Sequence, residues 1–449
     1  MNNHVCALEW RYGSDEMRKL LSRDNIVKVM VEVEKALLYG LAKAGIVPKE
    51  VINKLDPNCF KVDPEEVYML EAKIGHEVAA LAMILSKRCG EAGKYIHLGA
   101  TSNDIIDTAW AIILRSVFNI LKVKMKRLIE ILTSYAVKYK DVIMIGRTHG
   151  QHALPITLGF KFANYAYELT RSLERLMECE KRVVRGKISG AVGTMAAWGD
   201  KGFQVERYTL EILNLKPHVI STQVAPRDGI AEFTLTLSII ASQLDRLALE
   251  VRELMRTEIG ELTEATKPIG SSTMPHKSNP VTSEKVSGLA RLVRGLTVSA
   301  LENIVLWHER DLTNSSCERL LLPHIILIVD EMLESTIKVM EGLRVFKDRM
   351  MENLRITKGI NMSEAIVVKL VEKGMSRLEA YNLVKEVITR SVKEGLEFKN
   401  ALLSDERIRK FLTAKEIEEC LNPKNYLGST SMLIDRTVEY VKEVTSRVT

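Results

Sequence analysis

Long stretches of this chain place apolar residues at helical intervals with nothing to break them. Between Gly99 and Gly146 there is neither glycine nor proline, and Trp110, Leu114, Val117, Leu121, Leu128, Leu132 and Tyr135 recur at helical spacing. This predicts one long helix or two abutting ones. From Pro226 to Pro268 no proline intervenes, and Ile230, Phe233, Leu237, Ile240, Leu244, Leu247, Val251 and Leu254 advance by alternating steps of three and four. That is a heptad seam, which demands a partner helix along its whole length. The stretch from Pro280 to Pro323 carries Val286, Leu289, Val293 and Leu296 in the same rhythm, and Phe160 to Arg185 adds a shorter one. A helix of about 35 residues is about 50 Å long. Rods of that length are not expected to bury their apolar faces inside a compact monomer, so a bundle continued across subunits is expected.

On either side of this block the predicted helices are shorter and punctuated. Asp63-Pro64-Glu65-Glu66 supplies an N-cap, a proline at the first helical position and an acid at the third, while Ser376 to Glu379 and Thr413 to Glu416 match the capping box. The expected fold is all-α with three helical domains: residues 1–104, a long-helix domain over 105–346, and 347–449. No internal repeat or low-complexity linker interrupts them.

Composition agrees. Apolar residues are 46% and charged residues 27% of the 449, the balance of an ordered globular protein. Only 11 prolines and 6% aromatics leave few helix breakers and few favoured strand formers. The longest apolar stretch, Leu320 to Val329, contains Pro323 and His324 and falls far short of a bilayer span. The N-terminal residues carry no basic region followed by an apolar run, so a cytosolic location is expected. The six cysteines, Cys6, Cys59, Cys89, Cys179, Cys317 and Cys420, form no CxxC pair and are expected to be buried thiols rather than a disulfide frame or a zinc site. A net charge of +6, with no basic block, makes nucleic acid a poor candidate partner and leaves room for a small anionic substrate.

Chemistry is expected where a helical chain spends residues that helices do not favour, and four segments qualify. His97-Leu-Gly-Ala-Thr101-Ser102-Asn103-Asp104 precedes the long helix. A start signal needs one cap, Ser102 or Asn103, whereas four consecutive polar residues exceed that need, and free amides at a helix start suit a carboxylate. Gly146-Arg-Thr148-His149-Gly150-Gln151-His152-Ala-Leu-Pro155 reads as a turn between helices, yet it packs donors and two histidines, either of which suits acid–base work near neutral pH. Metal ligation by His149 and His152 lacks a third ligand placed by the sequence. Gly270-Ser271-Ser272-Thr273-Met274-Pro275-His276-Lys277-Ser278-Asn279-Pro280 offers hydroxyls, Lys277 and Asn279 to an anion, and does not fit the Walker pattern. The fourth, Leu306 to Arg319, reads as an unusually polar helix.

Together these segments resemble the shared regions of the fumarase/aspartase superfamily: GSSTMPHKSNP its signature loop, TSNDIIDTA and GRTHGQHALP its other two. Within it, LWHERDLTNSSCER, Arg11-Tyr12 and Ser221-Thr-Gln223 are similar to the adenylosuccinate lyase family. The similarity runs from about Arg11 to the Gly374-Met-Ser-Arg segment, with no motif in the last ~70 residues, where only capping patterns guide the reading. One departure is Gly75-His76-Glu77, where the family usually has a basic residue, His and Asp; this leaves the role of Glu77 open.

The resemblance implies a fumarase/aspartase-like homotetramer with the central bundle shared among subunits and active sites drawn from three chains. It implies elimination of fumarate from adenylosuccinate to give AMP, and from the succinylated aminoimidazole carboxamide ribotide of purine biosynthesis. Ser271 would be the base and His149 the acid that protonates the departing nitrogen. Lys277 and Asn279, with loop amides and Ser272, would stabilise the aci-carboxylate. His76 would support the substrate, Thr101 and Ser102 would contact the succinyl carboxylates, and Gln223 would hold the succinyl portion. Arg11, Tyr12, Ser315 and Arg319 would grip the phosphate, with Arg310 and Ser316 contributing. No metal or organic cofactor is needed, because the substrate carries its own electron sink. Carboxymuconate cycloisomerases, which can carry a nearly identical loop, and argininosuccinate lyases are the rival readings; Arg319 and Ser315 suit a phosphate that those substrates lack. An inactive helical scaffold would be expected to lack Ser271, His149, Lys277 and Asn279, and all are present.

Overall fold

The computed structural model describes residues 6–264, 274 and 276–448. Helices dominate, and the strands among the described residues are short. The stretch free of glycine and proline forms one unbroken helix, Ser102–Lys138, of 37 residues, about 55 Å long. Leu114, Val117, Leu121, Leu128 and Leu132 are all buried along it. Leu158–Val183, Asp228–Leu254, Val281–Glu302 and Thr313–Glu341 complete the set of long helices. The break at residues 303–312 divides the last two. Pro323, which bounded a proline-free stretch, lies inside the Thr313–Glu341 helix.

The heptad seam corrects one expectation. Phe233, Leu237, Ile240, Leu244, Leu247, Val251 and Leu254 are all buried within the single chain. Phe233 meets Phe118 of the helix Ser102–Lys138, and with these seven side chains buried by the chain itself a second subunit is not needed to cover them. The apolar side chains that this helix leaves exposed, Leu235, Ile239 and Leu249, lie on another face.

The chain divides into two compact units whose segments interleave along the sequence. The first comprises Met1–Met125, Arg171–Asp245 and Val286–Glu334, the second Lys126–Thr170, Arg246–Lys285 and Ser335–Thr449. In the first unit the Phe118 and Phe233 rings meet at 4.7 Å in the core. Gly40, in the helix Arg23–Lys43, crosses the helix Gly202–Leu213 so closely that a Cβ would stand 2.2 Å from Thr209 Oγ1. The N-terminal hook is pinned to the Thr313–Glu341 helix: the Gly13 and Ser14 amides donate to Glu331 (3.0 Å) and Asp330 (2.7 Å), and Lys124 pairs with Asp330 and Glu334.

Within the second unit, a small core of Ile366, Leu370, Val384, Val387, Phe398, Leu402 and Ile417 joins the short C-terminal helices. Both anticipated capping boxes are present there, Ser376 with Glu379 and Thr413 with Glu416. None of the described helices is long and apolar enough to cross a membrane.

The cysteines supply a second correction. Cys59 and Cys89 form a disulfide with Cα atoms 5.1 Å apart. Cys59 lies in the 3₁₀ turn Pro57–Phe60 and Cys89 ends the helix Glu77–Arg88, a meeting that a separation of 30 residues does not announce. Cys179 is a buried thiol, its pKa pushed up to about 12 by burial. Closing a loop of this length stabilises a fold by about 3–4 kcal/mol in the chain-entropy account. Cys59→Ser is therefore expected to lower the thermal midpoint, and reductant is expected to lower it in the parent but not in the variant. Calorimetry with and without reductant measures both.

Candidate active site

A buried ion pair builds the first polar segment. Asp104 and Lys187, both fully buried, meet at 2.7 Å. The Asp104 carboxylate also accepts the amides of Ser189 (2.8 Å) and Gly190 (3.1 Å) and reaches back to the Thr101 amide at 2.7 Å. That last bond makes Thr101 the cap residue and Asp104 the acid of the first turn, a pattern in which Ser102 and Asn103, the expected caps, are instead the first two helical residues. The polar run is thereby held at the mouth of the helix. His76 caps the preceding helix, Glu77–Arg88: its Nδ1 accepts the Ala79 amide at 3.2 Å, which leaves Nε2 facing Ser102 Oγ at 3.2 Å. His97, with positive φ, pairs through Nδ1 with the fully buried Glu34 at 2.6 Å. Burial works against its protonation, but the Glu34 carboxylate outweighs this and its pKa rises.

One turn further along the same helix, a second buried cluster forms. Asp107 accepts both terminal nitrogens of Arg227 at 3.0 Å, the Ala225 amide at 2.8 Å and Asn103 Nδ2 at 3.1 Å. Arg227 also meets Glu318 at 2.8 Å. Burial pushes the Asp107 carboxyl up, yet Arg227 overcomes it and holds the pKa below the ordinary value; at Glu318 burial prevails and the pKa is raised.

Beside this cluster opens a cavity of about 390 Å³ whose wall includes Ser315, Arg319, Arg310, Glu77, Asn103 and Asn314. Arg319, largely exposed, stands 3.9 Å from Glu77. Arg310, its pKa lowered by burial and by Arg227, donates to Gln223 at 3.4 Å. Five anticipated binding residues thus gather here: Ser315, Arg319, Arg310 and Glu77 in the wall and Gln223 beside them. Ser316 is exposed on the helix that carries Ser315, whose regular structure starts only at Thr313, so the residues 306–311 expected to be helical are not. Arg11 and Tyr12 stand on the N-terminal hook, stacked against each other with 5.9 Å from guanidinium to ring, and do not line this cavity.

The second unit carries the other two segments. The histidine-rich segment, expected as a turn between helices, is an antiparallel hairpin, β1 (Ile143–Thr148) and β2 (Gln151–Thr157). Its two-residue turn is His149-Gly150, both with positive φ (55° and 73°), as the primed hairpin turns require. His149 is thereby presented to solvent at the tip. A bulge at Gly146 and a two-point ion pair from Arg147 to the fully buried Glu261 (3.0 and 2.7 Å) hold the hairpin in place, and Asn353 binds the same carboxylate at 2.8 Å. His152, opposite Arg147 in register, is kept towards the neutral form by burial and by that arginine.

Ser271 and Ser272 lie outside the described residues. Lys277 is exposed and Asn279 half-buried just before the helix Val281–Glu302. Glu264, nearly fully buried, accepts the Thr282 and Ser283 amides (2.8 and 3.0 Å) and the Ser283 hydroxyl (2.6 Å). It caps that helix from the far end of the signature segment, tying residue 264 to residues 282 and 283.

The sequence reading missed the carboxylates that position everything else: Asp107, Glu261, Glu264, Glu318 and the partners Lys187 and Arg227. Their only sequence signal is acidity at the edge of apolar runs, which solvated helix faces share.

Residues 10–295 match the family model described as lyase, and residues 359–437 the one described as adenylosuccinate lyase C-terminus. Adenylosuccinate lyase of Pyrococcus abyssi is 45% identical over 447 residues, covering 99% of both chains. That of Methanocaldococcus jannaschii is 42% identical, covering 98% of this chain and 96% of its own. Among solved structures, a fumarate lyase from Mesorhizobium sp. BNC1 superposes with a TM-score of 0.88 at 31% identity, covering 95% of this chain and 98% of its own. A 3-carboxy-cis,cis-muconate lactonizing enzyme from Pseudomonas putida also reaches 0.88, at 30% identity and 98% and 99% coverage.

Two outcomes are expected from the buried pairs. Lys187→Met strands Asp104 and is expected to cost about 3–5 kcal/mol in chemical denaturation, with part of it recovered in the Lys187→Met, Asp104→Asn double variant. Because the folded-state pKa of His97 is raised, its pair with Glu34 stabilises fully below the ordinary pH of about 6.5 and loses that contribution as pH rises through the folded value. Denaturation curves across that window are expected to flatten in His97→Gln.

Proposed function

Because the chain belongs to the adenylosuccinate lyase family of the fumarase/aspartase-like lyases, we propose a mechanism in which the four polar segments share one elimination. The chain is a carbon–nitrogen lyase that releases fumarate: it splits adenylosuccinate into AMP and fumarate, and the corresponding succinylated carboxamide ribotide in purine nucleotide synthesis. The observation that carries this is identity above 40% over nearly the full length of several adenylosuccinate lyases, including the C-terminal domain proper to them. The muconate-type structures share the fold at 30% identity, and a lactonizing reaction makes no use of a nucleotide phosphate grip.

The succinyl carbon next to a carboxylate gives its proton to Ser271, and the electron pair left behind forms the carbon–carbon double bond of fumarate as the carbon–nitrogen bond breaks. His149 delivers a proton to the departing nitrogen, a task suited to an imidazole at the solvent-exposed tip of the hairpin. Lys277, Asn279 and Ser272 hold the carboxylate on which negative charge builds, and a serine serves as base only where water is excluded and positive charge lies near. Thr101 and Ser102 take the succinyl carboxylates. The Asp104 bond to the Thr101 amide supports this role by fixing the backbone at the helix start, and the Ser102–His76 contact orients the Ser102 hydroxyl. Gln223 holds the succinyl portion beside Arg310. Arg11, Tyr12, Ser315 and Arg319 grip the phosphate, and Arg310 and Ser316 add to it.

We further propose a cytosolic homotetramer whose sites combine residues of three chains. The exposed stripe Leu235, Ile239 and Leu249 on a long helix is the kind of face such an assembly covers. Sedimentation of the purified protein at micromolar concentration is expected to give a tetramer, and a stable monomer contradicts it.

Purified protein is expected to convert adenylosuccinate with the ultraviolet absorbance change of fumarate release. Ser271→Ala and His149→Gln are each expected to lower kcat by about a thousandfold while circular dichroism stays unchanged. Near-normal turnover in both variants overturns the assignment of base and acid.

A further inference from the structure

The N-terminal hook, which runs from the 3₁₀ turn Ala7–Glu9 to the helix Asp15–Leu20, spends more bonds on its backbone than a connection needs. A simple turn is closed by a single backbone hydrogen bond. Here Arg18 Nη1 donates to the carbonyl oxygens of both Tyr12 (2.9 Å) and Gly13 (2.5 Å), while Nη2 pairs with Asp15. The amides of Gly13 and Ser14 go to Glu331 and Asp330. The two peptide planes that meet at Gly13 are therefore each held at both edges, the carbonyl by Arg18 and the amide by a carboxylate of the helix Thr313–Glu341. Gly13 has a φ of 83°, and a Cβ there would stand 2.8 Å from Leu327 Cδ2, so only glycine meets both demands.

What this fixed backbone presents is Arg11 and Tyr12. The Arg11 guanidinium meets the rings of Trp10 and Tyr12 at 5.7 and 5.9 Å and, among the described residues, pairs with no carboxylate, which leaves its fork of donors to an anion. The hook also borders the cavity that holds Ser315 and Arg319. Pro323 is in the cavity wall, and the residue after it, His324, meets Cys6 Sγ through Nε2 at 3.7 Å. At the other end Leu21, which follows the helix Asp15–Leu20, is in the wall as well. The segment that carries Arg11 and Tyr12 is thus bracketed by the cavity wall and bound to the helix on which Ser315 and Arg319 stand. Arg18 does not line the cavity.

We propose that Arg18 is a positioning residue for the substrate phosphate: by holding the Tyr12 and Gly13 carbonyls it sets the direction in which Arg11 and Tyr12 leave the hook. This rests on the phosphate-gripping role of Arg11 and Tyr12 given above. Without Arg18 the two amide bonds remain, so the hook stays on its helix, but the carbonyl edges on either side of a glycine are free to swing. The loss then falls on binding of the phosphate end of the substrate and not on the proton transfers at the succinyl end.

Steady-state kinetics of the full-length enzyme with adenylosuccinate, using AMP and fumarate as product inhibitors, tests this. Arg18→Met is expected to raise KM and the AMP inhibition constant about tenfold, the lower end of what a hydrogen bond to a charged group supplies. Its kcat is expected to stay within about twofold of the parent, and the fumarate inhibition constant to stay unchanged, because fumarate carries no phosphate. Arg18→Lys, whose ammonium can still donate to both carbonyls, is expected to recover most of the loss. Arg11→Met is the control and is expected to raise KM as well. An unchanged KM in Arg18→Met beside a raised one in Arg11→Met, or an equal loss towards AMP and fumarate in Arg18→Met, overturns the proposal. If Arg11→Met leaves KM unchanged, the phosphate role of the hook fails instead.

Discussion

The pair formed by Asp104 and Lys187 is the constraint on which the first unit depends. Two full charges buried together are held only where every remaining lone pair and proton finds a partner. Here Asp104 takes the amides of Thr101, Ser189 and Gly190 besides the ammonium, and Lys187 gives a further bond to the Gly190 carbonyl. Four requirements met at one carboxylate leave little freedom to the chain on either side. The start of a 37-residue helix and a loop some 85 positions later are locked to each other, and Thr101, Ser102 and Asn103 project from the junction.

Asp107 repeats the device one turn on. Helical geometry puts residues three apart on one face, so a single helix start offers two carboxylates inward and draws in separate parts of the chain. Asp107 gathers residues 225 and 227, and Arg227 extends the reach to Glu318. The cavity wall is the outer side of this polar knot, which is why its asparagines are oriented by carboxylates behind them. A rigid back wall is what a binding site needs if its front is to select.

The second unit uses the same economy around the short strand Leu262–Thr263. Glu261 before it holds the hairpin through Arg147, and Glu264 after it caps the helix that follows the signature segment. Two carboxylates flanking two residues therefore set the position of His149 and of the chain around Lys277 and Asn279. Nothing in the histidine-rich motif announced a hairpin, because its apolar neighbours Ile143, Met144 and Ile145 fit a strand or a helix end equally well. The two positive φ angles at His149 and Gly150 settle it in favour of the primed turn.

The sequence alone determined the helices and the chemistry carried on their interruptions. Periodicity depends on neighbours within a few residues, so the long helices, the heptad seam and the capping boxes were legible, and so were Thr101, Ser102, His149, Lys277 and Asn279 as polar residues that a helix does not need. What covers an apolar face, and which acid meets which base, depends on residues brought together from distant positions. Tertiary structure therefore decided that the seam is satisfied within the chain, that Cys59 joins Cys89, that Arg147 serves Glu261, and that Glu77 shares a cavity with Arg319. Spacing records local order only, and a buried charge is defined by the partners that the fold assembles around it.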